Sequence, residues 1–302
     1  VGKSENVFSA FLLGVRKAGK GFPYKISLRR LTEDVLITDD LLALSTCHFN
    51  CIPRKYYIPD WRFLLCAPKQ ALELLDVMEA ECWEAMQPFL RNKEYRDCIW
   101  RGDVSDEEIR KRVIVTFNFP PSQFQLHVQW IVPPFMPFQH YMAEMRNHLH
   151  EGRSFPMTYV RKVLALNEPY QVKHTTPISE IIDYYDKKGV NYQSTWEEFY
   201  RESLQATMDL QNWRAEDFRY VVDDGKVHEI KVMDNRLELG PEVPELNAKT
   251  IQEQDKALLQ NYGRPYDSEE RPTGTYIGRP LEPKIGPGGY GLWPGLDLHS
   301  SS

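Results

Sequence analysis

A histidine stands between two glutamines at two-residue spacing in Gln125-Leu126-His127-Val128-Gln129, inside the largely apolar run from Phe117 to Ile131. In an extended strand that spacing puts Gln125, His127 and Gln129 on one face, and Leu126, Val128 and Trp130 on the other. Histidine can act as a nucleophile or as an acid/base group near neutral pH, so a ligand could be the partner that such a polar trio needs. A polar edge strand facing water carries the same alternation and needs no ligand.

Other groups of reactive residue types are weaker. Cys47-His48 with Cys51 offers soft ligands near zinc-knuckle spacing, but the chain has no second cysteine pair, so buried structural cysteines and no metal are expected. His148-Leu149-His150 has the wrong interval for one helical face and reads as a helix end near water. Asp223-Asp224-Gly225 reads as a turn and not as a carboxylate pair, and Asp106-Glu107-Glu108 after Ser105 reads as a capped first helical turn. Neither a phosphate-binding loop, nor a dinucleotide fingerprint, nor an internal repeat is present. No cofactor is expected.

Several elements must position the trio. Val35 to Ile37 and Leu41 to Leu44 predict two short strands around the polar Asp39-Asp40 turn. Trp61 to Ala67 predicts a further strand ended by Pro68, followed by a helix over 70–89 with Leu72, Leu75, Met78, Cys82 and Met86 at helical spacing. Val113 to Phe117 is β-branched, and after Pro120-Pro121 a strand is predicted from Gln125 to Val132, stopped by Pro133, Pro134 and Pro137. Helices are predicted over 138–150 and, in two pieces broken at Gly189, between Thr176 and Leu210. Phe218 to Val222 and Lys226 to Val232 flank Asp223-Asp224-Gly225 as a hairpin.

Composition bounds the class. The 42% hydrophobic content suffices for a packed core, while a net charge of −6 and a pI near 5.8 argue against a nucleic-acid surface spread over the whole chain. Five cysteines, an odd number confined to 47–98, point to a reducing compartment. The longest apolar run, Val7 to Val15, is far too short to span a bilayer. Lys3, Arg16, Lys17 and Lys20 near a start at Val1 fit a processed organellar presequence, so a mitochondrial location is expected, with a cytoplasmic one as the alternative. Nine of the 17 glycines lie beyond residue 239, where large aliphatic residues become sparse apart from a short amphipathic helix predicted over 250–260. Such a tail cannot build its own core, and its order has to come from its own domain or from a partner.

Taken in order, the acidic-turn hairpin, the segment Arg62-Phe63-Leu64-Leu65-Cys66-Ala67-Pro68-Lys69, the amphipathic helix and an Asn-bearing strand leading into Gln-Leu-His-Val-Gln resemble the histidine-triad superfamily over roughly 35–133. The pattern is nearest to the branch of galactose-1-phosphate uridylyltransferase and the diadenosine polyphosphate phosphorylases, which carries His-x-His-x-Gln. The resemblance implies an α+β fold with an antiparallel sheet and flanking helices over 31–235, preceded by an N-terminal extension (1–30) and followed by a Pro/Gly-rich C-terminal tail (236–302). It also implies His127 as the nucleophile that attacks an α-phosphate and Gln129 as a donor to phosphate oxygen. Asn118 takes the helper position, and Ser122, Gln123 and Gln125 are further ligand-binding candidates.

Two departures from the pattern bear on activity. Phe119-Pro120-Pro121 replaces the glycine-bearing loop and removes two N–H donors, and Gln125 replaces the first histidine. The expected function is therefore a catalytically degenerate accessory subunit of a large assembly such as a respiratory, ATP-synthase or ribosomal complex. It would contact other subunits through its N-terminal segment and residues 236–302. The alternative is a nucleotidyl transferase, phosphorylase or hydrolase acting on a nucleotide phosphoanhydride through His127.

Overall fold

The computed structural model describes residues 28–40, 42–121, 124–212, 220–233, 236–250 and 291–294. A mixed α+β architecture is built on one antiparallel sheet. Its strands are β1 (Leu28–Leu31), β2 (Val35–Asp39), β3 (Ser45–Pro53), β5 (Ile114–Asn118), β6 (Val128–Phe135) and β7 (Ser154–Pro156), in the order β1-β2-β3-β6-β5-β7. The two-residue strand β4 (Tyr56–Tyr57) stands apart from this sheet.

Helices cover one face. α1 (Pro68–Arg91) starts on Pro68, where the missing N–H costs nothing, and buries Ala71, Leu75, Met78, Cys82 and Met86 at intervals of three and four. That stripe packs on Val35, Ile37, Phe49 and Cys51 of β2 and β3. α2 (Lys93–Ile99) and α3 (Asp106–Lys111) follow, the latter entered through the expected cap: Glu108 N–H donates to Ser105 Oγ, and Ser105 N–H donates back to the Glu108 carboxylate. α4 (Pro137–Glu144), α5 (Met157–Ala165), α6 (Ile178–Asp186) and α7 (Tyr192–Leu210) complete the set, and Gly189 at φ 85° separates α6 from α7 as expected.

A second sheet holds β8 (Tyr220–Asp223), β9 (Lys226–Met233) and β10 (Arg236–Glu242). Asp224 and Gly225, both at positive φ, make the two-residue turn of the expected hairpin. β10 pairs with β9, so the first residues assigned to the tail form a third strand there.

Sequence expectation and structure differ at several elements. Trp61–Cys66 is a 3-10 helix and not a strand: Asp60 caps it by accepting from the Arg62 N–H, and all six residues are buried, so no alternation marked its type. The second strand of the first hairpin begins at Ser45 and not at Leu41. The helix expected over 138–150 ends at Glu144, ahead of Arg146 at φ 58°.

Lastly, β6 begins at Val128 and continues through Pro133 and Pro134, which were expected to stop it. The prolines are accommodated because the β3 register shifts between Ser45 and Cys47 opposite them, while β5 pairs with β6 only at 129–131. Pro133 O instead accepts the indole N–H of Trp100 at 2.7 Å. Residues 28–30 of the expected extension (1–30) lie in β1, paired with β2, while residues 1–27 and, beyond Thr250, the helix predicted over 250–260 lie outside the described residues. One late stretch of the tail is described: β11 (Gly291–Leu292) pairs in parallel with β4, and Trp293 packs edge-on against Tyr56 at 5.3 Å.

Candidate functional site

Alternation along β3 separates Cys47, Phe49 and Cys51, which face the helices, from His48 and Asn50, which face the other way. Pairing in register then aligns four polar residues across the middle of that second face: Thr38 opposite Asn50, Asn50 opposite Gln129, and Gln129 opposite Thr116. All four are buried, so each must find its hydrogen bonds locally.

Gln129 is at the centre. Its Oε1 accepts from His48 Nε2 at 2.5 Å and its Nε2 donates to Asn50 Oδ1 at 2.8 Å, while Asn50 Nδ2 donates to Asp40 Oδ2 at 2.8 Å. The tautomer of His48 follows from its other nitrogen. Nδ1 accepts the Leu44 N–H at 3.0 Å, so the proton sits on Nε2 and the ring is neutral. The chain of donors fixes the Gln129 amide and leaves it one further N–H.

His127 lies just before β6, in the irregular stretch that leads into it. Its Nδ1–H donates to the Gln125 carbonyl at 2.9 Å, which places the lone pair on Nε2. Among the described residues Nε2 has no hydrogen-bond partner. Burial pushes the His127 pKa below the ordinary histidine value, with the Gln125 carbonyl and Asp40 opposing. The ring is therefore neutral at pH 7, and a positive charge arising on it would be stabilised by the carbonyl at Nδ1.

The stretch before His127 is held at several points. Phe119 N–H donates to Arg153 O, and the Arg62 guanidinium lies 4.4 Å above the Phe119 ring. Leu126 N–H donates to Ile58 O. Gln125 is turned away from the expected row: its amide donates to Pro53 O at 3.1 Å and Tyr56 O at 3.2 Å. Asn118 ends β5, where it pairs with Ser154 of β7. His127 stands two residues ahead of Gln129, Gln125 closes the loop onto Pro53 and Tyr56, and the β5–β6 pairing ends at Thr116, short of Asn118. Ser122 and Gln123 lie outside the described residues.

Cys47, Cys51 and Cys82 take no part in the site. All three are buried on the α1 side, and burial pushes the Cys47 and Cys82 thiols well up. His48 leaves β3 on the opposite face, so it cannot share a metal with Cys47 and Cys51. Among the described residues no group of three or more His, Cys, Asp or Glu side chains is placed to hold a metal ion. No helix among them is long and apolar enough to cross a membrane.

Sequence reasoning missed Asp40, His48 and Asn50 as members of the site. The signal was available in Thr46, His48 and Asn50 alternating with Cys47, Phe49 and Cys51, the same period-two pattern that exposed His127.

The buried histidines give the fold a pH dependence. His48 and His127 are lowered by desolvation, and His148, whose Nε2 meets Gln139 Oε1 at 2.6 Å, is lowered to about 4. Below about pH 6.5 the unfolded chain takes up protons that these rings refuse in the fold. Stability is thus full above pH 6.5 and is lost as the pH falls from there towards 4, by about 1.4 kcal/mol per pH unit for each ring that stays neutral. Urea midpoints across pH 4 to 8 are expected to drop steeply over that window in the wild type, and less steeply in His148→Gln. Equal slopes in the two proteins would contradict the assignment.

Comparison of the chain with protein-family models, with curated proteins and with solved structures found no match.

Proposed function

We propose that this chain is a histidine-triad-like protein that acts on nucleotide phosphoanhydrides through His127. The observation that carries the reading is the His127 ring itself: neutral, fixed by the Gln125 carbonyl through Nδ1, and with its Nε2 lone pair unpartnered among the described residues. The Nε2 pair attacks the α-phosphorus, the bond from phosphorus to the bridging oxygen breaks, and the electron pair leaves with the departing phosphate. A nucleotidyl group is then held on an imidazolium until phosphate, water or another acceptor displaces it. The remaining N–H of Gln129, aimed by His48 and Asn50, meets the non-bridging oxygens. By the resemblance, Asn118 at the end of β5 is the further residue proposed to support the nucleotide.

A second reading, a catalytically degenerate accessory subunit of a mitochondrial assembly, is favoured by one feature. Phe119-Pro120-Pro121 presents no N–H from its two prolines where a phosphate cradle would need donors. The argument from the tail is weaker at 291–293, because that stretch rests on β4 of the same chain.

Turnover separates the readings. The full chain is to be incubated with a diadenosine polyphosphate, with and without inorganic phosphate, and the products separated by ion exchange. Mononucleotide release that depends on His127 is expected. Absence of both turnover and calorimetric nucleotide binding would leave the subunit reading and remove the proposed one.

A further inference from the structure

β4 ties a late stretch of the chain to the stretch that carries His127. β11 runs parallel to it as its strand partner, and the next residue, Trp293, is 2% exposed with its ring edge-on against Tyr56. From the same short strand Tyr56 O accepts the Gln125 side-chain amide at 3.2 Å, and just beyond it Ile58 O accepts the Leu126 N–H. Gln125 O in turn accepts the His127 Nδ1–H at 2.9 Å. Trp293, Tyr56, Gln125 and His127 therefore form one unbroken series of contacts.

The last of these contacts decides which nitrogen of His127 is bare. A neutral imidazole carries one ring proton, and an acceptor that holds it at Nδ1 leaves the lone pair on Nε2. Once Gln125 O moves away, the proton divides between the two nitrogens. The two anchors of the Gln125-Leu126 stretch on β4 are unequal. Ile58 is fully buried in the core, whereas Tyr56 is half-buried on a strand outside the six-stranded sheet, so β11 and Trp293 supply much of what holds it.

From this series we infer that Trp293 is a positioning residue for His127: docked on Tyr56, it keeps the Gln125 carbonyl at Nδ1 and the Nε2 lone pair free. The free Nε2 bears on catalysis only if His127 is the nucleophile, as proposed above. The hold on the ring is measurable without turnover.

The full chain, carrying isotopically labelled histidine, is to be followed near neutral pH by proton–nitrogen correlations that tell a protonated ring nitrogen from a bare one. His127 is assigned from its absence in His127→Asn. A proton fixed on Nδ1 is expected in the wild type. Trp293→Ala is expected to average the two His127 nitrogens and to lower kcat on a diadenosine polyphosphate about tenfold with KM within about twofold, as a misplaced reacting group does. Trp293→Phe keeps a ring edge for Tyr56 and loses no hydrogen bond made among the described residues, so it is expected to restore both readouts. His48, held by Leu44 and Gln129, is expected to keep its tautomer throughout. Gln125→Leu cuts the series one step further on and is expected to give the same averaging, so it decides if Trp293→Ala fails to fold. An unchanged His127 ring in either variant, or a change that reaches His48 as well, would overturn the positioning role whatever the turnover. Averaging of the ring in a chain whose wild type consumes no nucleotide would uphold the positioning role and remove His127 as the nucleophile.

Discussion

Asp60→Ala is expected to destabilise the fold by about 3–5 kcal/mol, because it strands a buried guanidinium. Asp60 and Arg62 are 2% and 3% exposed. The carboxylate receives Arg62 Nε at 2.9 Å and Nη2 at 2.8 Å, and it also accepts the Arg62 backbone N–H at 2.9 Å as the cap of the 3-10 helix. Removing it leaves Thr176 O as the hydrogen-bond partner of the guanidinium and uncaps the Trp61–Cys66 turn at once. Replacing both members, Asp60→Ala with Arg62→Leu, is expected to recover much of the loss, since the cost lies in the unpaired charge and not in the absent pair. Urea unfolding of the two variants checks this. A loss below about 1 kcal/mol for Asp60→Ala would show that the pair is not desolvated as described.

His127→Asn is expected to lower turnover of a nucleotide phosphoanhydride by about a thousandfold or more while leaving the fold intact, as removal of a nucleophile does. The ring makes one hydrogen bond, to the Gln125 carbonyl, so its loss is a small structural change. Gln129→Leu is the informative contrast. It leaves the His48 N–H and the Asn50 Oδ1 without their buried partner, each costing about 1–3 kcal/mol, so rate and stability should fall together. Steady-state rates beside thermal midpoints separate the two behaviours. Equal rates for wild type and His127→Asn would remove His127 from the chemistry.

How far the sequence could be read depended on whether a local pattern carried the information. The α1 stripe, the Ser105 cap, the Gly189 break and the Asp224-Gly225 turn follow from side-chain types at fixed offsets, and all were readable. The antiparallel sheet with flanking helices was readable in kind. Trp61–Cys66 was not, because six buried residues show no period to tell a strand from a helix. Nor was the passage of β6 through Pro133 and Pro134, which depends on a register shift between Ser45 and Cys47 of a strand far away in the chain.

The candidate site divides in the same way. His127 and Gln129 were visible because their chemistry and spacing are local. The departure of Gln125 towards Pro53 and Tyr56, and the entry of Asp40, His48 and Asn50, follow from which strands pair, and that is a long-range property.

The most direct measurement is the mass of the intact protein after brief exposure to a diadenosine polyphosphate, quenched in base so that a phosphorus–nitrogen bond survives, followed by peptide mapping. One adenylyl group on His127, absent from His127→Asn, is the expected result. Consumption of the nucleotide with His127 unmodified in every quench, or an adenylyl group mapped to another residue, would contradict the assignment of His127 as the nucleophile.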